Sequence, residues 1–171
     1  NANGNATDWK PLNDGTIDAL QYYYVGVGKL QADDAQRPDL GLGTDNVLVS
    51  GGLQDNGGSL LRPGAEKMVS NFGGDGGDVL VDPNDGCNIV QEYVYLTMEV
   101  TKTCANPGKD HPNALVDLSD ATTHDISPPD INAQFIAPFT ANDKNINQWV
   151  AAGNSLWYQD KGFDISSGSQ W

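Results

Sequence analysis

Two aspartates in glycine-rich segments are the residues of this sequence best suited to acid–base chemistry. Asp55 follows an apolar stretch in the order Gln-Asp-Asn-Gly, and Asp75 has two glycines on either side. Such glycines let a ligand approach the backbone closely, and glycoside hydrolysis typically uses two carboxylates about 5–10 Å apart. We therefore predict that Asp55 and Asp75 are the acid and base of glycoside cleavage, provided that the two loops that carry them lie together. The alternative is a structural role in the turn, in which the side chains of Asp55 and Asn56 form hydrogen bonds with nearby backbone groups.

A group of acidic residues could also hold a metal ion. Asp75, Asp78 and Asp82 concentrate the carboxylate oxygens that Ca²⁺ prefers, and they lie within eight residues of one another. Their spacing lacks the alternating ligands of known calcium loops. We therefore expect that no cofactor is required, and we keep a calcium site as the alternative.

Aromatic residues in strand-like segments are candidates for binding sugar rings. Tyr23, Trp149 and Trp157 each stand in a stretch of aromatic and β-branched residues, and we predict them as substrate-binding platforms. The alternative is core packing, because side chains of a strand alternate between two faces and about half of them point inward.

Charge and composition exclude several classes of protein. The chain carries 9 Lys+Arg against 23 Asp+Glu, which gives a formal net charge of −14. So acidic a chain has no electrostatic footprint for a nucleic-acid backbone or an anionic membrane. It contains no apolar run near the ~20 residues that span a bilayer. The abundance of Gly, Asn and Asp argues against helical bundles.

The two cysteines and the acidic composition indicate an extracellular protein. Cys87 and Cys104 flank the strand-like stretch 88–103, so we predict a disulfide that ties the ends of a hairpin. The alternative is two buried free thiols. The chain begins at Asn1 without Met and without an apolar signal segment, and we expect a processed or excised product.

Short strands separated by Asp/Asn/Gly turns dominate the pattern, which predicts an all-β protein. Strand signals lie at 21–27, 46–50, 59–62, 78–81, 89–96, 97–103, 114–118, 134–137, 148–152 and 155–158. Similar strand–turn–strand units recur roughly 55 residues apart, which is the spacing of β-propeller blades. We therefore expect one segment, 1–171, of about three four-stranded antiparallel blades, at about 9–70, 71–130 and 131–171.

The order of these motifs resembles a known family. The run from Gly51 to Gly57, Gly-Gly-Leu-Gln-Asp-Asn-Gly, followed by Gly-Gly-Asp-Gly-Gly from Gly73, is similar to the Asp-box (bacterial neuraminidase repeat) β-propeller superfamily of sialidase-, sortilin- and xyloglucanase-like secreted propellers. The resemblance implies six or more blades, so we expect the chain to supply part of a larger propeller; a smaller, self-contained β-fold is the alternative. The remaining blades would come from a longer chain or from neighbouring subunits.

The resemblance also implies a function. It points to a secreted, glycoside-hydrolase-like propeller that acts on a polysaccharide or glycan, with Asp55 and Asp75 as its catalytic carboxylates. A sialidase mechanism is disfavoured, because it needs several arginines and only Arg37 and Arg62 are present. The alternatives are a non-catalytic glycan-binding or adhesion propeller and a structural subunit of an extracellular assembly.

Overall fold

The computed structural model describes residues 21–30, 47–61, 68–102 and 123–171. These residues form an all-β structure of three antiparallel sheets, which confirms the all-β part of the predicted fold class. Two short 3₁₀ turns follow the last strand, at Gly162–Asp164 and Gly168–Gln170. Across the described ranges, no helix is long and apolar enough to cross a membrane.

Each sheet is built from strands that pair in chain order. Sheet 1 contains β1 (Tyr22–Lys29), β2 (Val47–Leu53), β3 (Gly57–Leu61) and β4 (Val69–Phe72). Sheet 2 contains β5 (Val79–Val81), β6 (Ile89–Glu92), β7 (Met98–Thr101) and β8 (Thr123–Asp125). Sheet 3 contains β9 (Phe139–Asn142), β10 (Asn145–Ala152) and β11 (Leu156–Gln159).

Sheet 1 packs on one face of sheet 2 through glycines and aliphatic side chains. Gly26 and Gly28 of β1 lie so close to Val81 of β5 that a Cβ on either glycine would overlap it. The Gln91 side-chain amide donates a 2.7 Å hydrogen bond to the Ser50 hydroxyl across the interface. The apolar core between the two sheets consists of Leu30, Leu48, Leu60, Val79, Val81, Cys87 and Ile89.

Sheet 3 packs on the opposite face of sheet 2, around the fully buried ring of Trp149. This ring meets Phe163 edge-on, with centroids 4.9 Å apart. The second core consists of Val90, Leu96, Met98, Val100, Ile126, Ala133, Ala137, Phe139, Trp149, Ala151, Phe163 and Ile165. Sheet 2 therefore lies between the other two sheets, and successive residues of its strands point alternately to sheet 1 and sheet 3.

Two strand predictions differ from the structure. The predicted strand at 89–96 ends at Glu92, and a turn at 93–97 leads into β7. The predicted strand at 134–137 is irregular, because the Ala137 N–H bonds to the Glu92 carboxylate instead of a neighbouring strand. The predicted strand at 114–118 lies outside the described residues.

Candidate functional site

Four connections between strands meet at one edge of the three sheets. The Gly76 N–H donates to the Leu53 carbonyl at 2.9 Å, and the Gly77 N–H donates to the Glu92 carbonyl at 2.7 Å. The Tyr95 N–H donates to the Phe135 carbonyl at 3.0 Å. These bonds join residues 54–56, 73–77, 93–97 and 131–136 into a continuous surface, which we call the turn face.

The two predicted catalytic aspartates are neighbours on the turn face. The Asp55 backbone N–H donates a 3.0 Å hydrogen bond to the Asp75 carboxylate. Asp55 is exposed in the β2–β3 turn, with φ at 58°, and Asp75 is half-buried in the β4–β5 connection. The condition that their loops lie together is met, while the catalytic role remains a prediction. One Asp75 oxygen holds the neighbouring turn in place.

Three aromatic side chains are exposed beside this pair. Tyr93, Tyr95 and Phe135 are between 43% and 54% exposed, and the rings of Tyr95 and Phe135 meet edge-on with centroids 5.5 Å apart. Gly74, at φ 86°, lies against the Tyr93 ring, since a Cβ there would stand 2.6 Å from Tyr93 Cε2. The aromatic residues thus continue directly from the segment that carries Asp75.

The turn that presents Tyr95 has an unfavourable backbone. Tyr95 and Leu96 both have φ of 56°, and the Thr97 N–H donates to the Val94 carbonyl at 2.9 Å. This is a type I′ hairpin turn, which normally holds Gly, Asn or Asp at its two central positions. A non-glycine residue in the left-handed region costs roughly 1–2 kcal/mol. Strain of this kind persists only where surrounding contacts hold it, and it is concentrated at functional sites.

Glu92 supplies contacts that hold this turn. Its side chain is fully buried, and Oε1 accepts the backbone N–H groups of Leu96 at 3.2 Å and Ala137 at 3.1 Å. The other oxygen, Oε2, accepts the Asp78 N–H at 3.0 Å. One carboxyl group therefore ties the strained turn to the start of β5 and to the segment that enters sheet 3.

Burial dominates the ionisation of Glu92 and of its neighbour Asp78. Loss of solvent raises the pKa of Glu92 to about 7, against the lowering effect of its three N–H donors. Burial likewise raises the pKa of Asp78 to about 6. The Asp78 carboxyl accepts the N–H groups of Val79 at 2.7 Å and Phe139 at 3.4 Å. Both groups thus link backbone segments beneath the turn face.

The three predicted calcium ligands bond mainly to nearby backbone. Asp75 accepts the Asp55 N–H, and Asp78 accepts the bonds given above. Asp82 accepts the Asn84 N–H at 2.9 Å and the Asn88 amide at 3.4 Å in the β5–β6 turn. Within the described ranges, no three His, Cys, Asp or Glu side chains converge as a metal site would require. Calcium remains a prediction on which nothing below depends.

The predicted sugar-stacking residues lie apart from one another. Trp149 has no exposed surface, so its ring offers no face to a ligand and packs the core. Trp157 is half-buried, and its indole N–H donates to the Asp130 carboxylate at 2.9 Å. That bond holds the pKa of Asp130 below its usual range. Tyr23 is half-buried in β1 of sheet 1.

The disulfide remains a prediction. Cys87 is buried between sheets 1 and 2, two residues before β6 begins, whereas Cys104 lies outside the described residues. The first residue of β6, Ile89, pairs with the last residue of β7, Thr101. Cys87 and Cys104 therefore flank the same open end of the β6–β7 hairpin in sequence.

The aromatic residues of the turn face and Glu92 were not singled out from the sequence. The sequence predicts strands at Tyr93, Tyr95 and Phe135, because aromatic residues favour strands and no turn-forming residue interrupts them. Glu92 offered one signal, since it is a single acid at the end of the otherwise uncharged run Ile-Val-Gln. A buried charged residue is uncommon and calls for partners.

No family model, curated protein or solved structure matches this chain.

Proposed function

We propose that the three sheets are successive blades of a β-propeller and that the chain is part of a secreted carbohydrate-binding protein. Two observations support the blades: sheets 1 and 2 each have four antiparallel strands in chain order, and consecutive sheets stack face to face. The glycine–aspartate motifs add the resemblance to Asp-box propellers. The acidic composition fits secretion.

The observation that carries the function is the row of exposed aromatic rings next to two acidic residues. Tyr93, Tyr95 and Phe135 continue from the contact between Asp55 and Asp75. Aromatic rings supply broad apolar surface with little loss of side-chain entropy. The faces of a sugar ring are apolar and its rim carries hydroxyl groups, so rings and carboxylates together suit a polysaccharide.

The test is binding of soluble polysaccharides to the purified chain, measured by affinity electrophoresis and isothermal titration calorimetry. Tyr95→Ala and Phe135→Ala should each weaken binding about tenfold, which is about 1.4 kcal/mol. Tyr95→Phe is the matched control, because it keeps the ring and should bind nearly as well. Equal binding by the wild type and both alanine variants would exclude the turn face as the site.

Hydrolysis is the second candidate, and the contact between the Asp55 and Asp75 loops favours it. Release of reducing ends from a bound polysaccharide should then disappear in Asp55→Asn without loss of binding. Asp75→Asn is the companion variant, because its amide oxygen can still accept the Asp55 N–H and hold the turn. Binding without turnover in the wild type would assign the protein to the non-catalytic class.

A further inference from the structure

The outer faces of sheets 1 and 3, which no other sheet of the described residues covers, expose apolar side chains. Along β1, the residues next to Gly26 and Gly28 point away from sheet 2. On this outer face of sheet 1, Val25 and Val27 are each 53% exposed and Val47 is 42% exposed. On the outer face of sheet 3, Val150 is 37%, Tyr158 is 51% and Leu156 is 75% exposed.

The two faces are counterparts of the faces already buried on sheet 2. Towards sheet 1, sheet 2 presents the paired residues Val81 and Ile89. Towards sheet 3, it presents the register row Leu80, Val90 and Val100. On the outer face of sheet 1, the row that corresponds to Val81 and Ile89 is Val27, Val49 and Leu61. On the outer face of sheet 3, the row that corresponds to Leu80, Val90 and Val100 is Thr140, Val150 and Tyr158. Sheet 1 stacked on sheet 3 would therefore repeat the kind of interface that this structure already contains twice.

We propose that the outer face of sheet 3 receives the outer face of sheet 1 from a second copy of this chain. Two such contacts, related by a twofold axis, would close a ring of six sheets, and known propellers have roughly four to eight blades. This inference rests on the proposed blade architecture. It does not depend on the binding of a glycan.

The shape and charge of the two outer faces are compatible with contact between two copies of this chain. The outer face of sheet 3 has a shallow depression of ≈ 210 Å³, lined by Thr140, Ala141, Asn142, Gln148, Val150 and Tyr158, which has room for valine side chains. Among the described strand residues, neither outer face carries an aspartate or glutamate. The chain has 23 such residues in total, so the described strands of these two faces add no acidic repulsion between two copies.

The test is the solution mass of the 171-residue chain by sedimentation equilibrium. The wild type should be a dimer, at twice the 18.2 kDa of one chain. Val27→Asp and Val150→Asp should each weaken association at least tenfold, because each variant damages both interfaces of a homodimer. Asn84→Asp adds the same charge in the exposed β5–β6 turn and should leave the dimer intact.

Mixing the two variants distinguishes head-to-tail stacking from other dimers. A mixed pair has one undamaged contact, between the sheet 1 face of Val150→Asp and the sheet 3 face of Val27→Asp, and one contact that carries both aspartates. An equimolar mixture should therefore form two-chain complexes through the undamaged contact more readily than either variant alone. A monomeric wild type, a dimer sensitive to only one variant, or a mixture that stays monomeric would overturn the inference. Glycan binding measured on monomeric Val27→Asp tests the proposed function separately.

Discussion

Replacing Glu92 with glutamine tests whether a buried carboxyl group organises the turn face. In the wild type, Oε1 accepts two backbone N–H groups and Oε2 accepts that of Asp78. A glutamine amide keeps the first oxygen and replaces the second with an NH₂ group that faces a donor. Losing this one acceptor should cost about 1 kcal/mol of stability at pH 5, where the native Glu92 is itself protonated.

The raised pKa of Glu92 determines the magnitude and the sign of the change in wild-type stability with pH. The pKa of Glu92 is raised from 4.5 to about 7 by burial, so the folded protein binds a proton that the unfolded chain has released across this interval. Its contribution to stability is complete below the unfolded value and is lost as the pH rises through about 7. At about 1.36 kcal/mol per pKa unit, this loss is about 3 kcal/mol.

The glutamine side chain does not ionise, so the variant does not lose this stability as the pH rises. Its free energy of unfolding, plotted against pH, should therefore cross that of the wild type. The variant should be about 1 kcal/mol less stable at pH 5 and, because about 2.5 kcal/mol of the loss falls between these two pH values, about 1.5 kcal/mol more stable at pH 8. Urea unfolding followed by tryptophan fluorescence at both pH values measures this difference. Asp143→Asn, an exposed acid-to-amide change, is the matched control and should follow the wild type. Parallel pH profiles for the wild type and Glu92→Gln would refute the reasoning.

Three further outcomes are expected. Tyr95→Gly should leave the free energy of unfolding within about 1 kcal/mol of the wild type, because relief of the positive φ, about 1–2 kcal/mol, offsets the entropic cost of glycine and the lost contact with the Phe135 ring, while it weakens polysaccharide binding; urea titration and calorimetry read the two effects, and a loss of stability above about 3 kcal/mol would contradict the turn assignment. Gly52→Ala should lower the melting temperature, at a cost of about 1–3 kcal/mol, because its Cβ would overlap the Gly77 carbonyl, whereas Gly73→Ala meets open space and should change little. Cys104→Ser should expose a free thiol at Cys87 to a thiol reagent under denaturing conditions, while the unreduced wild type shows none; equal labelling of both would exclude the disulfide.

Turns with conventional sequence signals were predictable. The cluster from Pro83 to Gly86 forms the β5–β6 turn, because the Asp82 and Asp85 carboxylates accept the N–H groups two residues ahead of them. Such bonds are local and depend only on neighbouring residues. The spacing of these turns was enough to locate most strands and to predict an all-β fold.

The parts of the site that escaped prediction depend on contacts between distant residues. Nothing in Tyr-Val-Tyr-Leu-Thr encodes a type I′ turn, and local preference favours a strand there. Glu92 contributes to the turn by binding the Leu96 N–H, and the buried Leu96 side chain anchors it in the core. The same carboxyl group takes the Ala137 N–H, 45 residues away, and so removes it from a strand.

This arrangement explains why the exposed aromatic residues and the buried acids belong to one structural unit. The strain at Tyr95 has no local compensation, so the turn needs the carboxyl group of Glu92 and the packing of Leu96 to persist. An apolar residue at position 92 would fill the core and leave three backbone N–H groups without acceptors, each at a cost of about 1–3 kcal/mol. The buried Glu92 carboxyl group therefore stabilises the turn in place of a conventional turn sequence. It holds Tyr95 in a fixed, exposed position beside Phe135, where a glycine would supply no aromatic ring.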